Sequence, residues 1–193
     1  MLLLVIAIAT FAFEPRADAQ AAQPCIPQPV PPAIDSAGSP PIGSDVIEFA
    51  ATPSLQYPSR AWVVRLWRRG QSEAVIEIVR LRQQHDCNRY DIGARWKAPL
   101  RQEEYRTIAA KVAPVGVPPY AIFVPSFTGP LPDVVMDGTS INLRLQSQDW
   151  QVTRSLNLYG QNGAAISAIF YDLDSKYVPS SELPAKDWRS ASP

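Results

Sequence analysis

Hydrophobic and polar positions follow three regimes along the chain. Residues 2–13 (Leu-Leu-Leu-Val-Ile-Ala-Ile-Ala-Thr-Phe-Ala-Phe) form an apolar run without charge. Residues 24–41 have no periodicity and are rich in proline. From residue 45 onward an alternation of period two dominates, the mark of half-buried strands, and it is interrupted twice by helical spacing.

The strands can be placed one by one. Val46-Ile47-Glu48-Phe49 opens the series and Pro53 stops it. In the next strand Trp62, Val64 and Leu66 share one face, while Val63, Arg65 and Trp67 share the other. A turn at residues 68–72 leads to a returning strand at 74–82, and a polar turn at 83–87 to another at 88–97. There Tyr90, Ile92, Ala94 and Trp96 alternate with Arg89, Asp91, Gly93, Arg95 and Lys97, predicting one core face and one wet face. Further on, Val134-Val135-Met136 runs into Asp137-Gly138, a two-residue hairpin signal. Ile141, Leu143 and Leu145 then alternate with Asn142, Arg144 and Gln146, and residues 150–159 return.

Two stretches change period. Tyr105, Ile108, Ala109 and Val112 recur at helical spacing behind Pro99, with Glu103 and Glu104 near the start and Pro114 as the expected stop. Ile166, Ile169, Phe170, Leu173 and Tyr177 form a second stripe, with Asn162 a candidate N-cap and Pro179 beyond the end. The pattern predicts an α+β fold: an antiparallel sheet of six or more strands with two amphipathic helices packed on one face. It also suggests two β-β-β-α halves, although no residue-level repeat supports a duplication. The proline-rich residues 114–132 connect the halves, with room for a short strand at 120–124.

Composition narrows the class. The 193 residues are 46% hydrophobic and carry 18 Lys+Arg against 18 Asp+Glu. That balance excludes a chain-wide polybasic nucleic-acid binder. Two Cys and one His are too few for a structural zinc, haem or iron–sulfur site, so no metal or cofactor is expected. The 20 prolines are about twice the ~5% of average usage.

The N-terminal run is too short for the ~20 apolar residues of a membrane span and has the length of a signal-peptide core. Ala17-Asp18-Ala19 and Ala19-Gln20-Ala21 offer cleavage sites, although no Lys or Arg precedes the run. The alternative is a buried core helix. Cys25 lacks the preceding pattern of a lipoprotein. The expected organisation is a signal peptide at 1–21, a Pro-rich arm at 22–44 and one α+β domain at 45–193. The arm, with seven prolines between residues 24 and 41, is expected to form neither a helix nor a central strand. The mature protein is expected in the periplasm, with no integral membrane segment after cleavage. In that oxidising compartment Cys25 and Cys87 form a candidate disulfide closing a long loop, with a free thiol at Cys87 as the alternative.

Zero net charge conceals an asymmetry. Residues 60–111 hold 12 Lys/Arg and 6 Asp/Glu, whereas both flanks are acidic. Arg80 and Arg82 share one strand face, and Arg89 and Arg95 share a face of the next strand. If those faces coincide, they make a basic surface for carboxylates, phosphates or an acidic partner. The alternative is a solvated face with cross-strand ion pairs such as Arg with Asp91 or Glu77. Five Trp could form a stacking platform, but Trp62, Trp96 and Trp150 fit core phases, leaving Trp67 as the exposed candidate and Trp188 packed back from the tail.

No motif names a reaction. The lone His85 beside Cys87 makes a poor thiol-activating pair, because neighbours in a tight turn rarely face one another. Ser126, Ser140 and Ser155 lack a nucleophile elbow. Asp133 and Asp137 read as turn residues, and Asp172 and Asp174 lie about 200° apart around their helix. The expectation is therefore a non-enzymatic binding module using Arg65, Trp67, Arg80, Arg82, Arg89 and Arg95 toward an envelope protein or acidic ligand, with no nucleic-acid role. An envelope-associated hydrolase and an inhibitor of a periplasmic enzyme are the alternatives.

Overall fold

The computed structural model describes residues 33–53, 60–70, 73–84, 89–116, 138–147 and 150–189. The 1–32 region, Cys25, His85, Cys87, Ser126, Asp133, Asp137 and the expected strands at 120–124 and 134–136 lie outside these residues. One turn of helix, α1 (Ala33–Ser36), precedes the strands β1 (Asp45–Pro53), β2 (Arg60–Arg68), β3 (Ala74–Gln84) and β4 (Arg89–Leu100). Helix α2 (Gln102–Gly116), strands β5 (Thr139–Ser147) and β6 (Trp150–Asn157), helix α3 (Gln161–Tyr177) and a 3-10 turn (Ser180–Glu182) follow. Over the described residues the protein is thus α+β, built on one antiparallel six-stranded sheet. Among the described residues no helix is long and apolar enough to cross a membrane.

The strand order is β4-β3-β2-β1-β5-β6. Strands β1 to β4 form a meander, and the β5–β6 hairpin adds to the free flank of β1. This makes β1 central and buries it on both faces. Ile47, Phe49 and Ala51 enter the main core, while Val46, Glu48 and Ala50 are buried on the opposite face. The strand has nine residues where the sequence suggests four, because Ala50, Ala51, Thr52 and Pro53 are held by pairing with β5, and the two alanines with β2 as well, although alanine and proline carry little strand signal of their own.

The main core joins Phe49, Trp62, Val64, Leu66, Ile76, Ile78, Ile141 and Leu143 of the sheet to Tyr105, Ile108 and Val112 of α2 and Ile166, Phe170 and Leu173 of α3. Trp188 returns from the tail with its ring 4.8 Å from Phe49, and its indole N–H donates to Ser167 Oγ at 2.7 Å. A smaller cluster lies on the opposite face, where Ala33, Ile34 and Ala37 cover Ala50, Ala61, Val63, Val79 and Leu81. We call these the main-core face and the arm face.

Four local expectations change. The four strands placed before α2 all form, so the first half is β-β-β-β-α and not the suggested β-β-β-α. Residues 33–36 form a helical turn inside the proline-rich stretch, because 33–39 are proline-free and Ile34 has an apolar seat on the sheet. Helix α2 continues through Pro114 to Gly116, since a proline in the final turn removes only one amide donor there. The N-cap of α3 is Gly160, without a side-chain cap, rather than Asn162. Gly163 is required just inside that helix, where a Cβ would lie 1.8 Å from the Asn157 carbonyl oxygen.

A bulge decides which charges share a face. Arg80 pairs with Ala94 but Leu81 pairs with Ile92, so Gly93 is the extra residue. Trp96 and Ala98 consequently pack against the main core, whereas Tyr90 packs against the arm-face cluster. The uniform alternation expected for residues 89–97 is broken at Gly93.

Candidate functional site: two arginine groups on opposite faces

A single register row on the arm face crosses five strands. Arg144 of β5 is opposite Glu48 of β1, Glu48 opposite Arg65 of β2, Arg65 opposite Glu77 of β3, and Glu77 opposite Lys97 of β4. The signs alternate along the row. Arg65 is 1% exposed and Glu48 0%. Arg65 donates from Nε to Glu48 Oε1, from Nη1 to Glu77 Oε2 at 2.9 Å, and from Nη2 to the Gly38 carbonyl. Arg144 donates from Nε to Glu48 Oε2 and from Nη1 to Asp35 Oδ1 at 2.8 Å. Arg95 donates to Glu77 Oε1 at 2.7 Å and to the Ala37 carbonyl at 3.1 Å. Burial pulls the Arg144 pKa down, but Glu48 and Asp35 outweigh it and the net direction is upward.

Arg65 and Arg95 therefore tie the sheet to the arm. Around Glu48, Arg65 and Glu77 the face is a buried ion network beneath the α1 segment, whereas Arg95 and Lys97 on β4 stay exposed as the alternation predicts, and Arg95 makes the cross-strand pair with Glu77 offered as the alternative. Lys97, at the end of the row, has Nζ 5.2 Å from the Trp67 ring centre, so Trp67 is half-buried under a cation.

Arg80, Arg82 and Arg89 lie on the other face. The register places Arg60 directly opposite Arg82, and Arg82 opposite Asp91. Arg80 pairs with Glu182, and its guanidinium carbon lies 5.8 Å from the Trp96 ring centre. Arg89 approaches Asp91 at 3.4 Å. Among the described residues, Arg60 and Arg82 have no carboxylate partner, and Arg82 is exposed. The six arginine and tryptophan candidates thus divide between faces, with Arg65, Trp67 and Arg95 on one and Arg80, Arg82 and Arg89 on the other. Arg60 escapes a sequence reading because it shares the phase of Trp62, Val64 and Leu66 and looks like the polar edge of a core strand. Its only signal is that phase counted back from Trp62.

Trp150, expected in the core, is 48% exposed. It stands at the mouth of a pocket of about 210 Å³ whose wall includes Tyr105, Ala109, Ala113, Leu145 and Arg68. Burial, partly opposed by Arg68, pushes the Tyr105 hydroxyl up to about 12. In α3, Asp172 is exposed whereas Asp174 is 0% exposed and neither of its carboxylate oxygens has a hydrogen-bond partner. Burial pushes the Asp174 pKa well above the usual carboxylate range. Comparison with family models, curated proteins and solved structures found no match to this chain.

Proposed function

We propose that this chain is an exported, periplasmic, non-enzymatic binding module that holds an acidic ligand at the arginine end of its main-core face. Arg60 and Arg82 carry the reading. Like charges directly opposite on adjacent strands repel, and an incoming carboxylate would relieve that repulsion while accepting forked hydrogen bonds from both. Arg80, backed by Trp96, and Arg89 extend the basic end. In this reading α2 and α3 are the amphipathic cover of the main-core face, leaving only its arginine end for the ligand. Export rests on the apolar run at 2–13 and the small-residue sites around Ala19 and Ala21.

Poly-L-glutamate is a direct probe. Binding should weaken as salt is raised, and Arg82→Glu should lower affinity by roughly tenfold or more with an unchanged melting temperature. Equal binding by wild type and by the Arg60→Glu/Arg82→Glu protein would remove the arginine end from consideration.

A further inference from the structure

We propose that the groove between the 38–44 segment and the ends of β5 and β6 is a binding site for an uncharged saccharide. The groove holds about 520 Å³, within the ~300–1,000 Å³ of small-molecule sites. It lies on the arm face, apart from the arginine end.

Three observations give the ligand its chemistry. First, the wall is pre-formed. The carbonyls of Ala37, Gly38 and Ile42 are each held by a guanidinium, from Arg95, Arg65 and Arg69 respectively. Gly38 and Gly43, at φ +86° and +75°, set the path between them in a region other residues rarely adopt. A wall fixed before binding loses little freedom when a ligand arrives.

Second, the groove offers hydrogen bonds without offering charge. Its ionised lining groups, Asp35 and Arg144, are paired with each other at 2.8 Å, and Arg144 is further held by Glu48. Gln146 and Gln151 are cross-strand partners, so two primary amides stand side by side on the floor. Each amide presents a donor and an acceptor, the pairing that adjacent hydroxyl groups require. Ser44, 1% exposed, lines the groove with a buried hydroxyl that has no partner.

Third, one lip is apolar. Pro40, Pro41 and Ile42 line the groove, and Ile42 is 93% exposed. A sugar ring combines a hydroxyl edge for the amides with a C–H face for this lip. An extended peptide would instead call for a longer trough.

The test titrates the full chain with chitotriose, maltotriose and cellotriose, following chemical shifts or heat. At least one should bind with a Kd of about 1 mM or tighter. Gln146→Ala/Gln151→Ala should weaken it by roughly tenfold while leaving the melting temperature unchanged. Arg82→Glu should bind the saccharide as wild type does, which separates this site from the arginine end. The proposal is overturned if none of the three produces a response, or if the double variant binds as well as wild type. It is equally overturned if uncharged N-acetyl-trialanine amide binds in the groove and the saccharides do not.

Discussion

Asp174 sits in the helical stripe of α3, one residue after Leu173, and is as buried as the core around it. An unpaired carboxylate there is tolerable only when protonated. Its folded pKa is raised, so between the ordinary ~3.9 and the folded value the native state keeps a proton that the unfolded chain releases. Stability must therefore fall as pH rises through that window. Asp174→Asn removes the effect. Relative to wild type, the variant should gain on the order of 1 kcal/mol per pH unit within the window, measured by denaturant unfolding from acid to neutral pH. A stability difference independent of pH would contradict this account. The opposed facing of Asp172 and Asp174 was legible from helix geometry. The burial of one of them was not, because helix periodicity places Asp174 beside the apolar stripe without showing how far the packed core extends around it.

At the scale of elements, strand positions were legible wherever one face is wet and the other dry. They blurred for β1, whose second half is Ala50-Ala51-Thr52-Pro53 with little strand character of its own, and for β4, where Gly93 inserts one residue and exchanges the faces beyond it. The arm was the larger omission. Prolines conceal a helical turn that only its seat on the sheet makes favourable, since four residues cannot sustain a helix alone. The arginines that fasten it were legible as residues but not as a network, because each partner comes from a different strand. Arg65→Met should cost about 3–5 kcal/mol, since Glu48 and Glu77 would lose a buried counter-charge. Thermal unfolding would register that loss. Limited proteolysis should find the arm more readily cut, because the Gly38 carbonyl also loses its donor.

For the whole molecule, the neutral charge of the chain separates into a closed ion network on one face and an open arginine end on the other. The sequence carries the asymmetry between residues 60–111 and their flanks, but which arginines are spent internally depends on sheet order and the Gly93 bulge. If the chain is exported as proposed, the mature protein should begin after Ala19 or Ala21, which intact-mass measurement of envelope-purified protein would reveal. The proposed Cys25–Cys87 bridge predicts that neither thiol alkylates without reductant. Two alkylated cysteines in native exported protein would exclude it.

The alternating row Arg144–Glu48–Arg65–Glu77–Lys97 also works as a parity check on assembly. If β2 slipped by one residue against β1, every side chain would change face and Arg65 would enter the apolar core. Slipped by two, Glu48 would meet Val63 or Trp67 and remain buried without its partner. Each wrong alignment strands at least one charge, and the same penalty applies at β3 and β5. An apolar row of equal volume could bind its strands as tightly yet would accept several alignments. The charged row accepts one.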